Sequence, residues 1–243
     1  MAIRGWQRRY SEILREFGYS KKRDAESAIL LGTILRPNGA KKIIDAMISG
    51  ATVLVIGAGP SLSAAIPAIR NLNAVKIAAG SSVRALVQGG ITPDIIVTDL
   101  DGDLKSLECL AEESVFVVHA HGDNAGRLAL AEKFKRCIGT AQSGACGRIE
   151  DYGGFTDGDR AVFLAHHYGA ARIVLLGMDF GTRIGRYSDT QRSERPTKLK
   201  KLKKGRQLLE WLASITKSEL YTTSGQIAGF DKITYKKLAS ILE

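Results

Sequence analysis

Residues 51–71, ATVLVIGAGPSLSAAIPAIRN, decide the fold. The apolar run Thr52–Ile56 is short and mostly β-branched, which predicts a strand buried on both faces. The GAGPSL segment that follows offers two glycines for a tight turn, and Pro60 with Ser61 favours a helix start. A helix is expected over Ser61–Asn71. The stretch therefore predicts one strand–turn–helix unit of a parallel sheet.

The same alternation continues to residue 182. Five more apolar runs predict strands, namely Ala74–Ala79, Asp94–Thr98, Val115–His119, Cys137–Thr140 and Arg172–Leu176. The helices expected between them are Ser81–Gln88, Leu104–Glu112, Ala125–Lys135 and Asp157–Tyr168. This pattern predicts an α/β fold with a Rossmann-like, mostly parallel sheet and helices on both faces.

The two ends of the chain predict helical additions to that sheet. The expected N-terminal helices are Ile3–Phe17, Arg23–Leu35 and Asn38–Ser49, and the expected C-terminal helices are Lys198–Thr216 and Ile233–Leu242. A polar, glycine-containing loop is expected over Gly181–Thr197. We therefore divide the chain into an N-terminal helical segment (1–49), an α/β catalytic domain (50–182), and a basic loop with C-terminal helices that pack on the same domain (183–243).

The net charge of +10 is concentrated in two segments. Residues 183–206 contain ten Lys or Arg against two acidic residues, and residues 1–23 contain seven against two. Such segments are typical of contact with phosphate or nucleic acid, although a solvated helix face is an alternative. No apolar stretch is long enough for a membrane span, and the three cysteines form no CxxC pair. We expect a cytoplasmic protein.

Acidic residues cluster where predicted strands end. Asp99, Asp101 and Asp103 follow one strand at alternate positions, and Asp123, Asp157 and Asp179 belong to the same edge of the sheet. Gathered carboxylates repel one another unless a cation binds them, and their oxygens suit Mg²⁺ that also binds phosphates. The alternative is a helix cap with solvated side chains, which fits Asp103 best. The convergence predicts a metal–phosphate site.

Two further motifs lie at this edge. The loop with Gly57 and Gly59 allows close approach of an anion, but it lacks the third glycine of a dinucleotide fingerprint and is not a Walker A sequence, so a plain turn remains an alternative. The HAHGDN motif, residues 119–124, offers His121, Asp123 and Asn124 either to bind a polar ring or to position a nucleophile, and a purely structural histidine is the alternative. Asn124 is equally suited to begin a helix.

Around the last predicted helix start, GGFTDGDRA contains more polar residues than capping needs. Thr156 or Asp157 suffices as an N-cap. The additional Asp159 and Arg160 indicate a role beyond capping.

Together, GAGPSL, TPDIIVTDLDGD, HAHGDN, GGFTDGDRA and LLGMDFG resemble, in this order, the archaeal 6-hydroxymethyl-7,8-dihydropterin pyrophosphokinases. The chain is more distantly similar to the catalytic domain of thiamin pyrophosphokinases, but it lacks their C-terminal β-sandwich. The resemblance covers about residues 50–190. It implies transfer of the β,γ-diphosphate of ATP to a pterin hydroxymethyl group, with release of AMP, in pterin or folate-type cofactor biosynthesis.

The resemblance also implies roles for single residues. Asp99, Asp101 and Asp157 would be catalytic residues that bind Mg²⁺. The residues expected near the ATP are Gly57, Gly59, Pro60, Ser61, Thr156, Asp159 and Arg160. The residues expected to contact the pterin are His121, Asp123, Asn124 and Asp179.

Other functions stay open on the sequence alone. The basic segment 183–206 would suit a nucleic-acid-binding protein, but no recognised binding motif accompanies it. A related pyrophosphokinase with another acceptor, such as thiamin, and a Rossmann-type methyltransferase are further alternatives. We expect ATP and a reduced pterin as partners, with no specific nucleic acid and no membrane, and a homodimer is compatible with the sequence. Residues 183–206 are expected to form a lid on the phosphate side.

Overall fold

A computed structural model describes residues 3–188 and 190–242, which form one nine-stranded sheet. The strands are β1 (Thr52–Ile56), β2 (Val75–Ala79), β3 (Ile95–Thr98), β4 (Val115–Ala120), β5 (Cys137–Ala141), β6 (Ile149–Glu150), β7 (Arg172–Leu176), β8 (Glu219–Thr222) and β9 (Asp231–Lys232). Their order is β6-β5-β4-β3-β2-β1-β7-β8-β9, and every neighbouring pair is parallel. The predicted α/β class is confirmed.

Helices cover both faces of this sheet, as predicted. The helices are α1 (Trp6–Phe17), α2 (Lys21–Ile34), α3 (Ala40–Ile48), α4 (Leu62–Ile69), α5 (Ser82–Gln88), α6 (Leu104–Cys109), α7 (Asp157–His167), α8 (Arg195–Ala213) and α9 (Tyr235–Leu242). One face packs α1, α3, α7 and α8, and the other packs α2, α4, α5, α6 and α9. Each face of the sheet has its own hydrophobic core, and the side chains of β1 alternate between them. Val53 and Val55 pack in the core with α1, and Leu54 and Ile56 pack in the core with α2.

The order in which strands are added to the sheet reverses between β1 and β7, although the two strands are parallel. From β1 the chain proceeds outward through β6, and it then returns to place β7 on the other side of β1. Loops that leave two such strands diverge, and the crevice between them is where open parallel sheets bind ligands. The fold therefore puts the candidate site at the carboxyl ends of the strands around β1.

Each of the six predicted strands lies within one residue of an observed one, and the differences occur in short elements. Residues Ala125–Lys133 form a 3₁₀ helix rather than the expected α-helix. Its buried side chains, Leu128 and Ala131, are three residues apart, the spacing that a 3₁₀ helix brings to one face. Strands β6, β8 and β9 were not predicted; β6 and β9 have only two residues each, too few for an alternating pattern.

The expected loop over Gly181–Thr197 is shorter than predicted. Helix α8 begins at Arg195, because Pro196 fits the first turn of a helix. Met1, Ala2, Asp189 and Glu243, which belong to the predicted end segments, lie outside the described residues. The division into three segments stays a prediction. No helix of the described residues is long and apolar enough to cross a membrane.

Candidate active site

A cavity of about 430 Å³ runs along the carboxyl ends of six strands. Each strand end contributes to its wall, in the order Gln142 (β5), His121 (β4), Asp99 (β3), Ala79 (β2), Gly57 (β1) and Gly177 (β7). Of the six aspartates that the sequence places near this edge, Asp103 does not line the cavity, and the other five do, namely Asp99, Asp101, Asp123, Asp157 and Asp179. Their predicted placement on one edge is confirmed.

Three of these aspartates converge at the centre of the cavity. One carboxyl oxygen from each of Asp99, Asp101 and Asp157 lies within 4.8 Å of the others. Between the first two, Leu100 adopts a left-handed conformation with φ of 67°. This conformation is unfavourable for a leucine, and the surrounding fold has to impose it. It lets both flanking aspartates reach the same cavity.

Close backbone approach and one buried amide hold this arrangement. A Cβ atom on Gly80 would lie 2.3 Å from Oδ2 of Asp157, so only glycine leaves room for that carboxyl group. The Asn124 side chain is buried and donates hydrogen bonds from Nδ2 to the backbone oxygens of Asp99 (2.8 Å) and His119 (2.7 Å). Its Oδ1 accepts from the His121 amide. Asn124 thus ties the end of β3 to the end of β4 and does not line the cavity.

The three carboxyl groups are electrostatically unfavourable together. Loss of solvent raises the pKa of Asp157 well above its usual range, and the charges of Asp99 and Asp101 raise it further. Loss of solvent, with the neighbouring Asp99, raises the pKa of Asp101 to about 7. Burial opposes ionisation of Asp99 as well, but hydrogen bonds with His121 and Asp101 keep its pKa below its usual range. The site therefore holds protons that a cation would displace.

The donor set fits magnesium. Mg²⁺ binds oxygen ligands at about 2.1 Å, so two ligands on opposite sides of one ion stand about 4 Å apart. Carboxyl oxygens within 4.8 Å of one another need only a small movement to share an ion. Mg²⁺ commonly takes one or two carboxylates and completes its shell with water and substrate phosphates. Among the described residues, this is the only such acidic, His or Cys cluster.

The seam between β1 and β7 is tightly closed by glycine. The Gly59 amide donates to the Gly177 oxygen at 2.7 Å, and a Cβ on Gly177 would lie 2.4 Å from the Gly57 oxygen. Asp179 accepts hydrogen bonds through Oδ2 from the Ser61 amide (3.0 Å) and hydroxyl (2.7 Å). The start of α4, expected to face a ligand anion, is thus directed at Asp179. Gly57 and Gly59 line the cavity, whereas Ser61 and Pro60 do not.

Behind the carboxyl groups, the start of α7 is a buried polar network in which Arg160 Nε alone has no hydrogen-bond partner among the described residues. Asp159 is fully buried and accepts from the Phe155 amide (2.6 Å), the Thr156 amide (2.9 Å) and the Thr156 hydroxyl. Arg160 is 2% exposed and donates to the backbone oxygens of Gly153 and Phe155. Burial lowers the pKa of Arg160, while the charge of Asp157 opposes that shift. Of these predicted residues, Thr156 and Asp157 border the cavity; Asp159 and Arg160 support it from behind.

Basic residues border the cavity from one side. Arg183, Lys198 and Lys201 line it, and the two lysines act electrostatically on Asp101. The segment that follows Arg183 lies directly on the glycine loop, since a Cβ on Gly185 would lie 2.0 Å from the Ala58 oxygen. Part of the predicted basic segment therefore borders the cavity next to the glycine loop, and its role as a lid stays a prediction.

Two of the other three lysines of α8 contact the protein rather than the cavity. Lys200 donates to the Glu16 backbone oxygen, and Lys204 forms an ion pair with the Glu16 side chain at 2.5 Å. Lys203 is exposed and does not line the cavity.

At the end of β4, side chains of the HAHGDN motif already contact other groups of the protein. His121 Nε2 lies 3.5 Å from Asp99 Oδ2, and the Asp123 carboxyl group is 3.5 Å from Arg23. His119 is buried, and burial lowers its pKa well below the usual range. His121 and Asp123 line the cavity, so contact with a substrate stays a prediction for both.

Sequence reasoning missed one wall of the cavity. Phe17, Tyr19, Arg23 and Asp24 reach it from the N-terminal helices, and Gln142 reaches it from β5. No motif spacing distinguishes these residues. The one indication was the position of Gln142 directly after a predicted strand.

Comparison with known proteins finds matches to one enzyme family over most of the chain. The family model described as 6-hydroxymethylpterin diphosphokinase MptE-like matches residues 28–185. Proteins named 6-hydroxymethyl-7,8-dihydropterin pyrophosphokinase from Pyrococcus furiosus and Methanothermobacter thermautotrophicus are 43% and 41% identical to this chain. These matches span 85% and 87% of this chain and 92% and 95% of the two relatives. A protein of the same name from Methanocaldococcus jannaschii is 36% identical over 87% of this chain and 96% of its own length.

A solved structure shares the fold. The MAf glycosyltransferase from Magnetospirillum magneticum AMB-1 matches 86% of this chain with a TM-score of 0.51 and 16% identity. This chain spans 39% of that protein. At such low identity the likeness concerns the fold alone.

Proposed function

The chain belongs to the MptE-like 6-hydroxymethylpterin diphosphokinase family, and we propose that it transfers the β,γ-diphosphate of ATP to the hydroxymethyl group of 6-hydroxymethyl-7,8-dihydropterin and releases AMP. The observation that carries this proposal is the convergence of Asp99, Asp101 and Asp157 in the cavity. Without a cation these carboxyl groups avoid full ionisation only by retaining protons, and a cation with bound phosphates would take the place of those protons.

In this proposal the triphosphate lies between the glycine loops and the basic side of the cavity. Gly57 and Gly59 allow the phosphates to approach the backbone. Arg183, Lys198 and Lys201 provide positive charge at the same side. Mg²⁺ held by the three carboxylates would neutralise phosphate charge.

The residues of the chain act by positioning. The acceptor oxygen attacks the β-phosphorus, the bond from that phosphorus to the α,β-bridging oxygen breaks, and the bridging oxygen leaves with AMP. The hydroxyl proton is lost to the surroundings, and no covalent intermediate with the protein is needed. Asn124 and Gly80 contribute indirectly: Asn124 holds the backbone of Asp99, and Gly80 leaves room for the Asp157 carboxyl group, so that these carboxyl groups would hold the metal. Such transfer depends mainly on alignment and charge stabilisation.

The test is a direct product analysis. The protein is incubated with ATP, Mg²⁺ and 6-hydroxymethyl-7,8-dihydropterin, and phosphorus NMR follows the nucleotides. We expect one AMP for each pterin diphosphate, and no activity when EDTA replaces Mg²⁺. An Asp101→Asn protein prepared in the same way is the control for contaminating enzymes.

Two outcomes would change the assignment. Formation of ADP as the stoichiometric product would make the protein an ordinary kinase. Release of AMP with thiamin but not with the pterin would retain the mechanism and replace the acceptor.

We also propose that the enzyme works in the cytoplasm. All three cysteines are free thiols, which fits a reducing compartment.

A further inference from the structure

The N-terminal chain crosses the carboxyl ends of the strands between α1 and α2. Helix α1 packs in the core on one face of the sheet, and α2 packs in the core on the other. The residues that join them must therefore pass over this edge. Residues 17–24, which we call the crossover, contribute six side chains or backbone segments to the cavity wall: Phe17, Gly18, Tyr19, Ser20, Arg23 and Asp24. The crossover precedes the part of the chain that the family model matches.

One acidic residue of the crossover is buried against neutral donors. Asp24 is 3% exposed. Its Oδ1 accepts from the Gly122 amide (2.9 Å), and its Oδ2 accepts from the Tyr10 hydroxyl (2.8 Å) and Gln142 Nε2 (3.1 Å). A carboxylate has about four lone-pair sites, so these three bonds leave acceptor capacity on Oδ1.

The neighbouring amide is only half satisfied. Gln142 is 4% exposed, and its Oε1 has no hydrogen-bond partner among residues 3–188 and 190–242. The bond from Nε2 to Asp24 fixes which end of the amide is left over. A buried acceptor without a partner is unfavourable and uncommon. Asp24 and Gln142 both border the cavity, and together they offer acceptors without donors.

The rings of Phe17, Tyr19 and Phe155 also line the cavity, and Lys201 Nζ lies 5.8 Å from the Tyr19 centroid and 6.0 Å from the Phe155 centroid. The ring centroids of Phe17 and Phe155 are 4.9 Å apart, and those of Phe17 and Tyr19 are 5.7 Å apart. Such surfaces stack against planar heteroaromatic rings.

The polar pair and the triphosphate side stand at opposite ends of the cavity. Gln142 follows β5 and Gly57 follows β1, with β4, β3 and β2 between them. Strand spacing puts about 19 Å between these ends. The carboxyl groups of Asp99 and Asp101 lie between them, which is where a reacting phosphorus must meet both substrates.

We propose that the crossover and Gln142 form the subsite for the ring of the acceptor. The ring stacks on the aromatic wall and directs an amino group and an adjacent ring N–H at Asp24 and Gln142. This inference rests on the proposed function, because the pyrimidine edge of a pterin carries these two donors.

The test compares two acceptors in the full-length enzyme. One is 6-hydroxymethyl-7,8-dihydropterin; the other is the corresponding lumazine, in which an oxygen replaces the 2-amino group. We expect Gln142→Leu to raise the KM for the pterin about tenfold, the loss expected for one buried hydrogen bond, and to leave the KM for ATP within about twofold. The preference of the wild-type enzyme for the pterin over the lumazine should shrink.

Tyr10→Phe is the matched control. It removes another donor to the same Oδ2 of Asp24, but Tyr10 does not line the cavity. Its preference for the pterin over the lumazine should equal that of the wild type, even if its stability falls. Tyr19→Leu changes only the half-buried aromatic wall and should raise the KM for both acceptors.

The experiment distinguishes failure of the proposed subsite from failure of the proposed function. A Gln142→Leu enzyme whose KM rises for ATP instead would place the nucleotide base at this end and overturn the subsite. An unchanged preference for the pterin in Gln142→Leu would also overturn it. If the wild-type enzyme releases AMP with neither acceptor, the proposed function itself fails.

Discussion

Asp99 and Asp179 both follow buried strands and border one cavity, but their surroundings differ. Asp179 accepts hydrogen bonds from the amide and hydroxyl of Ser61, within a seam that glycines close tightly. Asp99 also accepts from a backbone amide, that of Asp101 at 3.2 Å, but its carboxyl group additionally faces those of Asp101 and Asp157 across less than 5 Å, and we call these three residues the acidic centre. The seam between β1 and β7 therefore satisfies its carboxyl group locally. The acidic centre instead gathers three carboxyl groups, and the raised pKa values of Asp101 and Asp157 mean that a bound cation would be needed to ionise all three.

The difference separates structural from ligand-binding aspartates better than position does. A carboxyl group that accepts from nearby backbone amides stabilises the fold. Carboxyl groups whose pKa values are raised by burial and by one another are candidates for a functional site. The contrast between Asp179 and the acidic centre can be tested by substituting an aspartate from each and measuring both turnover and stability.

The largest effect on turnover is expected from Asp101→Asn. The substitution removes one proposed metal ligand, which should lower kcat by about a thousandfold, in line with the several kcal/mol that a metal contributes. It also removes a charge that raises the pKa of Asp157, so thermal stability without Mg²⁺ should rise slightly. Activity assays and thermal melts in EDTA check both expectations.

Asp103→Asn is the control within the same turn. Asp103 Oδ2 accepts from the Ser106 hydroxyl at 2.6 Å and does not border the cavity. Its turnover should stay near that of the wild type. If Asp101→Asn kept normal activity, or if both variants lost it equally, the acidic centre would not be the metal site.

A smaller effect is expected at the basic side. Changing Lys198 and Lys201 together to alanine should raise the KM for ATP about tenfold or more, since each loses a charge-assisted contact. The pterin KM should rise less than the ATP KM, although Lys201 Nζ also lies 5.8 Å from the Tyr19 ring and 6.0 Å from the Phe155 ring. Lys203→Ala, on the same helix but outside the cavity, is the matched control. Equal effects of the double variant and the control would remove the phosphate role from α8.

At the seam, Asp179→Ala should mainly affect stability. It leaves the Ser61 amide and hydroxyl without this partner, which costs about 1–3 kcal/mol of unfolding free energy. Turnover at saturating substrate should fall much less than in Asp101→Asn. Urea unfolding and steady-state kinetics measure the two effects. A larger loss of turnover than of stability would instead support the predicted contact of Asp179 with substrate.

Much of the fold was accessible from the sequence because buried parallel strands are continuous apolar runs. The six strands from Thr52 to Leu176 are such runs, and the aspartates behind them follow from strand direction alone. The convergence of Asp99, Asp101 and Asp157 was also predictable, since Asp99 and Asp101 follow β3, Asp157 begins α7, and strand ends and the helix starts that follow them meet at one edge of a parallel sheet.

What could not be predicted depends on contacts between distant residues. Asp24 reaches the cavity because α1 and α2 pack on opposite faces, and helix amphipathicity does not specify a face. Asp159 and Asp179 were grouped with the ligand-binding residues, because the donors that satisfy them are visible only in three dimensions. The residue type indicates that a group can bind a ligand, and its neighbours decide whether it is free to do so.

The smallest effect on turnover is expected from Asp151→Asn. Asp151 is intermediate between Asp179 and the acidic centre, because it accepts local hydrogen bonds and yet has a raised pKa. Asp151 is 1% exposed and does not border the cavity. It accepts from the Gly153 amide (3.0 Å) and from Gln7 Nε2 (3.1 Å), yet burial raises its pKa to about 6. The folded protein therefore keeps this proton at a pH where the unfolded chain has lost it. Stability should fall as the pH rises from about 4 through 6, because the folded state binds more protons in that window.

Asparagine has no proton to lose and can still accept from the Gly153 amide. The unfolding free energy of Asp151→Asn relative to the wild type should therefore increase between about pH 4.5 and 7.5, with turnover unchanged. Urea unfolding at several pH values gives this difference directly. A difference that is the same at every pH would mean that Asp151 ionises as an exposed aspartate does. In that case burial would raise carboxyl pKa values only where carboxyl groups also face one another, and the acidic centre would owe its character to mutual repulsion alone.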